Sequence, residues 1–149
     1  MFMDALKMSL PADAVLGFVV YMLGAAVLFG LYAFIYTRLT PYNELRLIRE
    51  GNNAAAIALA GALIGFAIPV ASAISHSISL LDFLLWALIA AVVQLLAFVV
   101  VNRCVKGMAE RVARQETASA ILLAAVSIGI GLLNAACMTP RRLIRDDRQ

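Results

Sequence analysis

Charge is scarce in this chain, and its placement is stricter than its amount. Only 14% of the 149 residues are charged, against 64% hydrophobic and a mean hydropathy of +0.94. Soluble domains carry about a quarter charged residues and about half apolar ones, so a fold solvated only by water is excluded. Four runs, Val15–Thr37, Asn53–Ile74, Leu81–Asn102 and Ala118–Met138, hold no Asp, Glu, Lys or Arg in their interiors. One such charge at mid-helix costs about 2.5–3.5 kcal/mol on insertion. The same absence removes the intramembrane carboxylate that a proton or sodium relay needs.

Chemistry-bearing residues are equally few. His76 is the single histidine and sits with Ser75, Ser77 and Ser79 between two runs, close to Asp82 at the start of the third. One His and one Asp are too few for a metal site, so His76 reads as a solvated loop residue. The two cysteines, Cys104 and Cys137, end the third and fourth runs at opposite membrane faces. A bridge needs Cα atoms about 4.4–6.8 Å apart, so a disulfide is excluded. The sequence has no nucleophile beside a base and no paired acids at the membrane surface. It also lacks a phosphate loop and a dinucleotide fingerprint. We therefore expect no catalytic residue, no cofactor and no metal, hence no enzyme. Glu44, Glu50 and Glu116 read as interfacial structure rather than acid/base groups. Met1–Ala14 carries one Lys against two Asp, which does not suit a cleaved signal.

What is present fits the bilayer. At about 20 residues per crossing of a core about 30 Å thick, the four runs and short connectors fill the chain as one membrane domain. Backbone satisfaction in lipid makes the runs helices, and they lack the alternation of barrel strands. The expected fold is an all-α integral membrane protein with four transmembrane helices over about 15–37, 53–74, 81–102 and 118–138.

An internal repeat organises the four spans. Positions 53–73 match positions 117–137 at an offset of 64, with eight identities in 21 positions. The expected units are two tandem two-helix repeats, about 15–75 and about 81–139, inserted in the same sense. Spans 1 and 3 are bulky. Span 2 carries the small-residue stripe Ala54, Ala58, Gly61, Gly65, Pro69 and Ser72, and the repeat sets Ala125 and Gly129 against Gly61 and Gly65. Helices in lipid pair by close backbone approach at small residues, so spans 2 and 4 are expected to cross with Gly65 facing Gly129.

Span 4 has a second small or polar stripe: Ala120, Ala124, Ser127, Gly131 and Asn134. Gln94 lies mid-span 3. These polar groups, with the carbonyl of Gly65 that Pro69 deprives of a donor, serve either as glue between helices or as the lining of a polar path. In loop 1, Thr40 and Pro41 suit the start of a short helix. Tyr42, Leu45 and Ile48 would form its apolar face, and Glu44, Arg46, Arg49 and Glu50 its polar one. Gly51 suits its C-terminus, and Asn52 or Asn53 the cap of span 2. Loop 3 offers Met108 and Val112 among Lys106, Glu110, Arg111 and Arg114. Two short amphipathic helices at the interface are the expected form.

The basic residues set an orientation. Loop 1 has Arg38, Arg46 and Arg49, loop 3 has Arg103, Lys106, Arg111 and Arg114, and loop 2 has none. Lys7 is the single basic residue of the N-tail, while the C-tail holds Arg141, Arg142, Arg145 and Arg148. Seven basic residues against five put loops 1 and 3 in the cytoplasm, with both termini outside.

The strings TPYNELRLIREGNNAAAIALAGALIGFAIPVASAISHS, LLDFLLWALIAAVVQLLAF and ETASAILLAAVSIGIGLLNAACMT resemble the YjfL-like inner-membrane family, domain-of-unknown-function family 350. The resemblance runs from about Val15 to Thr139 and leaves out the Arg-rich tail. It implies a bacterial inner-membrane protein with a duplicated two-helix module and brings no activity, substrate or cofactor. Members of that family are associated with envelope maintenance. The functional expectation is a non-enzymatic, oligomeric membrane module for envelope maintenance or partner recruitment. The alternative is a small oligomeric channel or transporter lined by Gln94, Ser127, Asn134 and the Pro69 break. Expected partners are the bilayer, a second copy, or a membrane or cytoplasmic protein, and not nucleic acid.

Overall fold

A computed structural model of the protein describes residues 11–138. Lys7 and the basic residues from Arg141 onward lie outside the described residues. The described chain is all α-helical: α1 (Ala12–Leu39), α2 (Glu44–Arg49), α3 (Asn53–His76), α4 (Leu80–Cys104), α5 (Met108–Ala113) and α6 (Thr117–Cys137). Among the described residues, α1, α3, α4 and α6 are long and apolar enough to cross a membrane. Each begins or ends within about three residues of its expected run. His76 is the last residue of α3, with Nδ1 2.8 Å from the Ser72 carbonyl, so it belongs to a helix rather than to the loop expected for it.

The short helices begin and end for local reasons. α2 does not begin at Thr40 and Pro41. The Thr40 hydroxyl donates to the Thr37 carbonyl at 3.1 Å and its backbone is extended, so that residue closes α1. Asn43 caps α2 instead, accepting from the Arg46 N–H at 3.0 Å. At the other end, Gly51 N–H reaches Ile48 O and Asn52 N–H reaches Leu47 O, with Gly51 left-handed at φ 85°. This is a Schellman closure. α5 closes identically, Gln115 N–H to Val112 O and Glu116 N–H to Arg111 O, but a glutamine takes the left-handed position at φ 64°.

The core forms where α3 meets α6. Ala54, Ala58, Gly61, Gly65 and Pro69 of α3 are buried, as are Ala120, Ser127 and Gly131 of α6. At Gly61 a methyl group would overlap the backbone of Ala124, and at Gly65 that of Ser127. At Gly131 it would overlap the Gly65 carbonyl oxygen. The backbones therefore touch at three glycines.

Gly129 is not one of them. A Cβ there meets nothing within 4 Å, and Ala125 is exposed. The expected pairing of Gly65 with Gly129 is corrected to Gly65 with Ser127 and Gly131. The reason lies one turn on, where the Ala125–Gly129 stripe runs into Leu133, which is 65% exposed. The matching stripe of α3 runs into buried Pro69 instead. A leucine cannot enter a backbone-to-backbone crossing, so α6 turns its other small stripe inward.

α1 and α4 flank this pair. Tyr32 of α1 stacks on Phe66 of α3 with centroids 4.3 Å apart, and Tyr36 meets Phe98 of α4 edge-on at 4.8 Å. Such aromatic pairs contribute about 0.5–1.5 kcal/mol beyond area burial. Tyr32 and Tyr36 are the buried residues of α1, and Leu, Val and Phe cover its outer face.

Two sets of substitutions test this packing. Gly131→Val and Gly65→Val should each destabilise the protein by about 1–3 kcal/mol through overpacking, whereas Gly129→Val should leave the detergent melting temperature nearly unchanged. Gln115→Gly should raise stability by about 0.5–1 kcal/mol by relieving the left-handed strain, and Gly51→Ala should lower it by a similar amount.

Candidate functional site

Inside the membrane, polar atoms join helices at two levels: the Ser72 hydroxyl of α3 donates to the Ala135 carbonyl of α6 at 3.3 Å, and a more buried contact forms around Gln94. Gln94 of α4 is 2% exposed, and its Nε2 donates to the Ser127 carbonyl at 2.6 Å. The same nitrogen lies against Gly65, so a methyl group there would displace it. Three helices thus share one contact at Gly65. Pro69 is buried one turn away in the same face. Asn134 lies two turns beyond Ser127, half-buried, and its amide nitrogen finds no partner. Gln94, Ser127 and Gly65 come together, and Asn134 does not join them.

A second concentration of polar groups lies where α2 and α5 cover one end of the bundle. Asn52 is buried there and acts twice. Its Oδ1 caps α3 by accepting from the Ala55 N–H at 2.9 Å, while its Nδ2 donates to the Ala113 carbonyl at 3.0 Å and the Val112 carbonyl at 3.4 Å. One side chain thereby starts α3 and holds the end of α5. The cap is legible in the sequence and the tie is not, because nothing local marks a partner some sixty residues away.

Glu44 differs from expectation. The sequence pattern puts it on the polar face of α2 with Arg46 and Arg49. It is instead 1% exposed, and both carboxyl oxygens are buried without a hydrogen-bond partner. Leu45, assigned to the apolar face, is 58% exposed. α2 packs against α3 through the face of Glu44, Leu47 and Ile48; it starts three residues later than Thr40 suggests, with Asn43 as its cap, so Tyr42 lies outside the helix. Burial raises the Glu44 carboxyl from 4.5 to about 7, with the Thr40 hydroxyl acting in the opposite sense. Tyr42, half-buried beside it, is held above the usual phenol range by burial and then by the Glu44 charge. The signal in the sequence was Met108, which lies 64 residues later, opens α5 and is also buried.

The remaining charges face outward. Arg46, Arg49, Lys106, Arg111 and Arg114 are all exposed. Arg46 pairs with Glu50 at 2.8 Å, which raises the guanidinium through the hydrogen bond and the opposite charge. Arg111 grips both oxygens of Glu116, lowering that carboxyl and raising its own group. Surface pairs of this kind add little stability. Arg49, Lys106 and Arg114 keep their charge toward solvent or lipid headgroups. The free thiols of Cys104 and Cys137 are exposed.

The helices, their interfacial turns and the connecting loops together span the model of a known family. The Domain of Unknown Function (DUF350) matches residues 9–138. The chain belongs to the DUF350 family. Relatives include the UPF0719 inner membrane protein YjfL of Escherichia coli strain K12 and that of Escherichia coli O157:H7. Each is 35% identical over 127 residues, covering 85% of this chain and 96% of the relative. No solved structure matches the chain significantly. This DUF350 chain is a multi-pass bacterial inner-membrane protein.

Asn52 offers the cleanest test of how this end is held. Asn52→Ala should destabilise by about 1–3 kcal/mol, combining a lost cap with buried acceptors left unpaired. Asn52→Ser should keep the cap and lose only the tie, and so melt between the two. Equal melting of the two variants would show that the tie contributes everything.

Proposed function

We propose that the chain is a non-enzymatic membrane module, working as an oligomer, that supports the envelope or recruits a partner at the face bearing α2 and α5. The observation that carries this reading is the burial of Gln94. The most polar side chain of the membrane interior is closed off within one protomer and bonded to Ser127, so it serves as glue between helices. The exposed basic residues Arg46, Arg49, Lys106, Arg111 and Arg114 gather at one end. They suit an anionic lipid surface at about 1 kcal/mol per residue, or an acidic partner. On this reading that end faces the cytoplasm and both termini face outward.

A tandem pair of units, each a span, a short helix and a second span, underlies the module. Support comes from matching boundaries. Glu44 and Met108, Asn53 and Thr117, and the left-handed Gly51 and Gln115 are all 64 residues apart. The alternative is an oligomeric channel or transporter. Pro69 is buried against α6 and Gln94 is enclosed, which leaves Asn134 as the half-exposed group such a path would use.

Two measurements test the proposal. An impermeant thiol reagent should label Cys104 from the cytoplasm and Cys137 from outside; labelling of Cys137 from the cytoplasm would reverse the orientation. In proteoliposomes the protein should pass no ion under any imposed gradient and should run as an oligomer in nanodiscs. Conductance abolished by Asn134→Leu would replace the module with a channel.

A further inference from the structure

Glu44 stands in a place that its surroundings make hostile to a carboxylate. Its residue surface is 1% exposed, and neither oxygen has a donor at hydrogen-bond geometry, since the nearby Thr40 hydroxyl donates to the Thr37 carbonyl. Among the described residues, no element around it supplies a compensating charge in contact with it. α3, on which α2 packs, carries no titratable side chain except His76 at its far end. α1 contributes the phenols of Tyr32 and Tyr36, and the segment before α2 contributes Tyr42 and the Thr40 hydroxyl. The Tyr36 hydroxyl is likewise buried and unpartnered. On α1, exposed Arg38 sits over the Phe34 ring, 4.8 Å from its centroid. On α2, Arg46 is engaged with Glu50 and Arg49 is exposed. Among the described residues, no ion pair includes Glu44.

A lone ionised carboxylate removed from water is too costly to persist and takes up a proton instead. The matching helix shows what the packing alone requires. Met108 opens α5 as Glu44 opens α2, at the same offset of 64 as the starts of α3 and α6, and it too is 1% exposed. A thioether fills that position without electrostatic cost. The first short helix holds an acid where the second holds an apolar chain of similar length, and a polar group kept against its packing marks a functional position.

We propose that Glu44 is a reversible proton-binding site that fastens α2 to the bundle: as the neutral acid it is seated against α3, and on giving its proton to water it drives α2 away from the membrane bundle. The proton leaves by a cleft of about 480 Å³ that Glu44 itself lines, together with Thr37, Arg38, Thr40, Tyr42 and Asn43. The sign follows from the raised value. An unseated Glu44 ionises near 4.5 and a seated one near 7. The seat is therefore fully favoured below about pH 4.5, weakens as pH climbs between the two values, and is lost above the upper one. The window closes around neutrality.

The test uses the full chain in nanodiscs. Infrared difference spectra between pH 4 and 9 should show one protonated carboxylic acid band that titrates near neutral pH and is missing in Glu44→Gln and Glu44→Met. Hydrogen exchange of the α2 amides, corrected for the intrinsic rate, should speed up tenfold or more across the same range in the native chain. It should stay slow and pH-independent in both variants. Glu44→Met carries the residue of the matching helix and keeps the comparison valid where Glu44→Gln fails to fold. A native chain without a titrating band, or variants whose exchange follows pH as the native chain does, overturns the proposal. So does protection at pH 8 that appears with sodium or potassium and vanishes with N-methylglucamine, which would assign the site to a metal cation.

Discussion

The architecture depends on one contact, the approach of the α3 and α6 backbones at Gly65 and Gly131. In lipid no hydrophobic gain draws helices together, because acyl chains are as apolar as leucine. Contact must come from many small attractions at short range, and only glycine permits backbones this close. Pro69 contributes to the same point. It has no N–H, so the Gly65 carbonyl lacks its partner four residues on. The Cα hydrogen of Gly131, in the direction where a side chain would stand, points at that carbonyl. Such C–H···O contacts contribute about 0.5–1 kcal/mol each, and here one covers an acceptor that lipid could not satisfy. The helix break and the glycine crossing are parts of one arrangement.

From that crossing the other helices take their places. Gln94 reaches the Ser127 carbonyl because Gly65 leaves room for its amide, so α4 is keyed to the α3–α6 pair at the same level. α1 is held more lightly, by the Tyr32 and Tyr36 rings and by Gly24 against Phe83. At one end Asn52 adds the polar fastening that the interior mostly lacks. The bundle is thus tight along α3–α6 and looser outward, and its most adjustable parts are α1 and the short helices.

Much of this was legible in the sequence. Span number, span limits and the small-residue character of α3 and α6 follow from the charge-free runs and the alanine and glycine content. The choice of crossing face on α6 did not follow. Ala120–Ala124–Ser127–Gly131 and Ala125–Gly129 are both small stripes, and the repeat favoured the second by analogy with Gly61 and Gly65. The analogy assumed that equivalent positions use equivalent faces. They do not: α6 presents residues two positions further on, about 200° around a helix. Leu133, where α3 has Pro69, was the residue that decided it. Glu44 was misread for a related reason. α2 starts three residues later than Thr40 suggests, which leaves Tyr42 outside it, and Leu45, Leu47 and Ile48 supply an apolar face in either phase.

The departures between positions 64 apart have a common direction. Pro69 against Leu133, Asn52 against Glu116 and Glu44 against Met108 each set a residue buried and structurally committed in the first half against a different type in the second. Asn52 bridges to α5, whereas Glu116 pairs locally with Arg111 at the surface. Glu44 carries a buried acid and Met108 an inert side chain. The second half has oddities of its own, the buried amide of Gln94, the unpartnered amide of Asn134 and the left-handed Gln115. At these three pairs of positions, however, the first half holds the residue that packing does not call for, and the three lie at both the crossing and the α2 end. α3 connects them, starting at Asn52 beneath α2 and reaching Gly65 three turns later. A helix that is rigid at its middle and fastened by polar groups at its start transmits a change at the start as a shift of its whole length, since close-packed backbones have no slack to absorb it.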